Sequence, residues 1–139
     1  MHATDDAHDG KGNTVAVRAV RGATTVGADE REIVLAATRE LVREVLTAND
    51  LRPDDLISVL FTATPDITSV APALAARQLG LNEVALICLP EMPVTGFRPL
   101  VVRLLAHLET DKPRSELVNV YLHGTDTLRD GVPPIPEGS

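Results

Sequence analysis

The chain has 139 residues, 44% of them apolar and 24% charged, with a formal net charge of −7. That length suits one domain around one core, and the acidic balance argues against a general nucleic-acid surface, which needs a basic stripe. It leaves room for an anionic small molecule, because a few arginines inside a cleft outweigh the mean field.

In chain order, the opening MHATDDAHDGKGNT is polar and acidic. It lacks the apolar region of a secretory signal, and residues 1–13 are expected to be a disordered lead. Residues 14–26, TVAVRAVRGATTV, are rich in Val, Thr and Ala and read as a first strand. Gly22 interrupts it as a bulge or a close backbone approach would. Residues 29–49 read as the longest helix: Ile33, Ala37, Leu41 and Val45 recur every four residues, and Val34, Val42 and Leu46 widen the stripe. LISVLFTAT, 56–64, is a second strand, apolar on both faces. Pro72 to Leu79 reads as a short helix with Pro72 in its first turn and Gly80 just past its end.

VALICL, 84–89, is a third buried strand. Residues 97–109 are predicted to form another helix, with Leu100, Val101, Leu104, Leu105 and Leu108 as its core stripe. ELVNVYL, 116–122, is a fourth strand, and 130–139 reads as a flexible tail. One domain therefore covers 14–129. Helices can cover only one face of such a sheet, yet two strands are apolar on both. A homo-oligomer packing sheet face against sheet face is the expected solution. The single cysteine gives no internal disulfide and fits a reducing compartment. No apolar run approaches 18 residues, so no membrane span is expected, and the protein reads as cytoplasmic.

Metal chemistry finds no support: His2, His8, His107 and His123 have no ligand spacing with one another or with Cys88. No GxGxxG or GK[ST] loop is present. Covalent catalysis would need a base next to Cys88 or a serine, and the plain reading of Cys88 is a small core residue. Only Phe61, Phe97 and Tyr121 are aromatic, so stacking platforms for bases are not expected. What remains is a set of arginines beside one carboxylate, one thiol and one phenol. Arg21 sits mid-strand before Gly22, where a charge needs water, a pair or a ligand; a structural ion pair with an acid such as Glu91 is one alternative. Arg103, Arg77 and Arg98 taken singly read as solvated flanks with packed stems, and Tyr121 as a core tyrosine with a bonded hydroxyl. Together they suit bidentate recognition of an organic polyanion, with any catalysis electrostatic rather than acid–base.

VRAVRGATTV, then LFTATPDITSVAPALAARQLG, ICLPEMPVTG, RPLVVRLLAHLETD and VNVYL resemble the monofunctional AroH-type chorismate mutases, over about Val15 to Arg129. The resemblance implies an α+β fold, a mixed sheet with helices on one face. It also implies a homotrimeric pseudo α/β barrel with active sites at subunit interfaces. The implied reaction is the Claisen rearrangement of chorismate to prephenate, toward phenylalanine and tyrosine, with no cofactor and no metal. By the same resemblance, Arg21 binds a carboxylate, Cys88 and Glu91 hold the ring hydroxyl, and Arg103 meets the breaking ether bond. Tyr121 is a further carboxylate contact and Ile87 contributes backbone. Arg77, Leu128 and Arg129 line or cap the mouth.

Two positions depart from the family pattern. Ala71 and Leu74 stand where a bulky aromatic and a lysine are usual, which makes that wall smaller and less charged. Two other readings remain at this level: an imine or enamine hydrolase on a similar trimer, and a non-catalytic trimeric binding protein for an aromatic-pathway acid.

Overall fold

Twelve residues, Thr14–Thr25, form the strand β2 that carries the RGATT motif, and it runs antiparallel to the ten-residue strand β5, Val101–Thr110. A computed structural model describes residues 6–8 and 14–127. Besides these two strands, the described residues hold β1 (Asp6–His8), α1 (Arg31–Ala48), β3 (Leu56–Ala63), α2 (Ala73–Gln78), β4 (Ala85–Pro90) and β6 (Val120–Tyr121). The strands make one mixed sheet in the order β1-β2-β5-β3-β4, with β6 paired to β2. The β3–β4 and β2–β6 pairs are parallel, and the others are antiparallel. Within the lead expected to be disordered, Asp6–His8 pairs with Thr14–Ala16.

Successive side chains on a strand point to opposite faces, and the register sorts them. Gly22, Leu104, Phe61 and Cys88 lie side by side across the sheet, as do Arg21, Leu105, Leu60 and Ile87 one residue over. The first row faces the helices: a Cβ on Gly22 would come within 3.1 Å of Leu41 and 3.2 Å of Val45, both on α1. Gly22 thus marks a close approach, as its place in the strand suggested. Phe61, Leu41, Val20, Val102, Ala106 and Leu108 complete this core and are buried. Each fully buried large side chain contributes about 1.5–3 kcal/mol. Among the described residues no helix covers the other face, and Val17, Ile87 and Leu89 are exposed there at 46%, 51% and 41%.

The helix α1 buries Val34, Leu35, Thr38, Leu41, Val42 and Val45. Its stripe is rotated from the expected one, leaving Ile33 at the rim. Glu32 in the first turn suits the helix dipole. At the other end Asn49 is fully buried; its amide donates to the Val45 and Val118 carbonyls (both 2.9 Å) and accepts from the Val118 N–H (2.7 Å). Pro72 precedes α2, and Gly80 follows it at φ +91°. Gly80 N–H bonds to Arg77 O and Leu81 N–H to Ala76 O, the paired bonds of a Schellman end.

Two expectations are corrected. The segment predicted as a helix over 97–109 is a loop leading into β5, the strand between β2 and β3. Leu100, Leu104 and Leu108 fit a four-residue period, but residues four apart also share a face in a strand. The buried set, Val102, Leu104, Ala106 and Leu108, has period two. The fourth strand expected over 116–122 shrinks to Val120–Tyr121. Asn49 takes both backbone groups of Val118, so that stretch bonds to a side chain instead of a ladder.

Candidate active site

The bare face of the sheet holds a cleft of about 1040 Å³. β2 supplies Arg21, β5 supplies Arg103 and β6 supplies Tyr121, while Glu91 stands one residue beyond β4. Registers explain the convergence. Arg103 lies opposite Ala23 on one side and Thr62 on the other, and Tyr121 lies opposite Ala23 across the β2–β6 pair. The Glu91 N–H bonds to the Ala63 carbonyl at 3.0 Å, so the β3–β4 pairing persists past Pro90 and fixes the carboxylate.

Glu91 and Arg103 form a bidentate pair. Nε donates to Oε2 at 3.0 Å and Nη2 to Oε1 at 2.8 Å. The Thr62 hydroxyl donates to the same Oε2 at 3.1 Å. The Glu91 side chain is 15% exposed and that of Arg103 37%. This planar fork holds the guanidinium in one orientation and leaves three of its five N–H groups uncommitted to Glu91. Glu91, named as one acid that could pair with Arg21, forms its bidentate pair with Arg103. The Arg21 side chain lines the cleft, and its N–H donates to Asn119 Oδ1 at 2.9 Å.

Four of the expected residues thus meet: Arg21, Glu91, Arg103 and Tyr121. Others stand elsewhere in the single chain. The Cys88 side chain lies on the helix face, where its sulfur accepts the Ala73 N–H at 3.2 Å. Ile87 is on the bare face but outside the cleft lining, and Arg77 is exposed on α2. Leu128 and Arg129 lie outside the described residues. Thr62 and Arg98 also line the cleft, although the sequence reading gave neither a site role. Thr62 could be found only by placing β5 beside β3. Arg98, read as a solvated flank, lines the cleft and donates from Nη1 to the Gly124 carbonyl. Among the described residues, no group of three or more His, Cys, Asp or Glu could hold a metal ion.

The loop before α2 is tied to the start of α1. Asp29 accepts from the Thr68 N–H at 3.1 Å, the Thr68 hydroxyl at 3.0 Å and the Ser69 N–H at 3.0 Å. The Ser69 side chain first, then the backbone N–H groups and the Thr68 hydroxyl, lower the Asp29 carboxyl pKa to about 2 against an opposing desolvation effect. Hydrogen bonds to the charged form favour ionisation.

A family model for chorismate mutase type I matches residues 17–132. The chain is 45% identical to chorismate mutase AroH of Thermus thermophilus over 114 residues, covering 81% of this chain and 93% of that protein. It is 38% identical to chorismate mutase AroH of Bacillus subtilis (strain 168) over 114 residues, covering 81% and 90%. The solved structure of a chorismate mutase from Clostridium thermocellum superposes with a TM-score of 0.78 at 39% identity, covering 80% of this chain and 99% of that one.

Proposed function

The chain belongs to the type I chorismate mutase family, and from that premise we propose how its own residues carry the reaction. The enzyme is an isomerase: it converts chorismate to prephenate by an intramolecular rearrangement. One C–O bond breaks and one C–C bond forms within the same molecule, so no proton and no nucleophile is consumed. The single observation that carries the proposal is the bidentate Glu91–Arg103 pair in a cleft shared with Arg21 and Tyr121. That inventory supplies cations and a fixed acceptor, which is what a dicarboxylate with a ring hydroxyl requires.

In this reading Arg21 and Tyr121 grip a substrate carboxylate and hold the enolpyruvyl arm over the ring. Glu91 keeps the Arg103 fork oriented and accepts from the ring hydroxyl. Arg103 turns its remaining N–H groups on the ether oxygen as negative charge develops there. One preorganised donor of this kind is worth about 3–4 kcal/mol. Enzymes remove at least about 8 kcal/mol from the barrier, and the balance comes from near-attack positioning. Glu91 also neutralises Arg103 in the empty cleft, so the guanidinium is not left partly buried and unpaired.

Assembly belongs to the same proposal. The exposed apolar side chains Val17, Ile87 and Leu89 on the bare face favour packing against copies of the chain as a trimer. Ile87, Arg77 and the Cys88 backbone, which do not line the chain's own cleft, then serve a neighbour's, and Leu128 and Arg129 close the mouth. A cytoplasmic location is part of this reading. No described helix is long and apolar enough to cross a membrane.

The test is direct. Chorismate is added and the loss of its diene absorbance followed, for the wild type and Arg103→Ala, with sedimentation run in parallel. Turnover by a trimeric wild type and its near-abolition in the variant are expected. Near-normal turnover by Arg103→Ala would overturn the role given to Arg103.

A further inference from the structure

Leu100 is one of three non-glycine residues with positive φ among the described residues, at +55°. A γ-branched side chain gains nothing from that conformation, which glycine adopts freely. It is held from both sides. The Leu100 N–H donates to Asp66 Oδ2 at 2.9 Å, and its carbonyl accepts from the Val26 N–H at 2.9 Å. The other Asp66 oxygen, Oδ1, accepts from the Thr64 hydroxyl. That hydroxyl oxygen in turn accepts the Val101 N–H at 3.1 Å, and the Thr64 N–H donates to the Val101 carbonyl at 3.1 Å. Thr64 is buried and lines the cleft.

These bonds act at the point where the chain leaves the 91–100 loop and becomes β5. Residues 101 and 103 share a face, so the backbone turn at Leu100 decides whether Arg103 points at the cleft or at the helices. A shift of one residue would exchange the two faces of β5. We propose that Asp66 is a positioning residue for catalysis: it holds Leu100 in the left-handed conformation that aims Arg103 at Glu91 and at the substrate. Asp66 touches no reacting atom and acts through the backbone. The inference rests on the catalytic role of Arg103, but its test is separate.

The test compares Asp66→Ala, Leu100→Gly and the double variant, with kcat and KM measured on chorismate and folding checked by circular dichroism and sedimentation. Asp66→Ala is expected to lower kcat about tenfold, the order of one residue's left-handed cost. KM should change little, because Arg21 and Tyr121 sit on other strands. Leu100→Gly alone is expected to be near wild type. Adding Leu100→Gly to Asp66→Ala should restore most of the lost kcat, because glycine takes the positive φ without help. A purely structural Asp66 would not be rescued this way. A double variant no better than Asp66→Ala, or an unaffected Asp66→Ala, overturns the inference. Should Asp66→Ala fail to fold, Asp66→Asn, which loses the charge and one acceptor, carries the same comparison with and without Leu100→Gly. Arg103→Ala decides the catalytic assignment independently.

Discussion

The two faces of one sheet do different work here, although the same strands build both. On the helix side, Gly22 packs against Leu41 and Val45 of α1, and Phe61 and Leu104 are buried beside it. On the bare side, one residue over in each strand, Arg21, Thr62 and Arg103 line a cleft, and Ile87 and Leu89 meet solvent. The period of two along each strand couples them, so rigidity on one face becomes alignment on the other. Arg103 is aimed because its neighbours Val102 and Leu104 are locked into the core.

Breaking the helix face should cost stability first. Phe61→Ala removes a fully buried ring and is expected to cost about 3–5 kcal/mol, read as a lower urea midpoint with kcat of the folded fraction little changed. Breaking the bare face should do the reverse. Arg103→Ala is expected to lose about 10²–10³ in kcat, with KM raised as well because the unpaired Glu91 repels a dianion. Its thermal midpoint should move much less than that of Phe61→Ala. A variant that damages both faces sharpens the contrast: Gly22→Ala forces a methyl against Leu41, Val45 and Leu104. It should cost about 1–3 kcal/mol by overpacking and disturb the adjacent Arg21, raising KM.

The smallest effect concerns neither face. Asp29 has a folded pKa of about 2 against an ordinary 3.8. Its contribution to stability is fully present above pH 4 and is lost as pH falls through about 2. Asp29→Asn should therefore be slightly less stable than the wild type at neutral pH. The gap should close between about pH 4 and pH 2 in thermal melts; a gap independent of pH would count against the clamp.

Much of this was legible in the residues. β2, α1, β3, α2 and β4 follow from hydrophobic patterning, and the Pro72 and Gly80 boundaries from backbone chemistry. Arg21, Glu91, Arg103 and Tyr121 followed from motif resemblance, and they meet in the cleft. Cys88 packs against the core, as the plain reading of a lone cysteine has it, and its side chain does not line the cleft. β5 was misread because Leu100, Leu104 and Leu108 satisfy both periods.

The sequence alone determined an aliphatic core, most of the strands and helices, isolated arginines, and one carboxylate beside a strand end. Those are matters of composition and local pattern, which each segment carries within itself. The tertiary structure decided that 101–110 is the strand linking β2 to β3, that Thr62 and Arg103 both bond to Glu91, and that Asp66 accepts the Leu100 N–H. Each of these is a contact between residues far apart in the chain. Such contacts exist only once the sheet has its order and register, because hydrogen bonds reach about 3 Å whatever the separation in sequence.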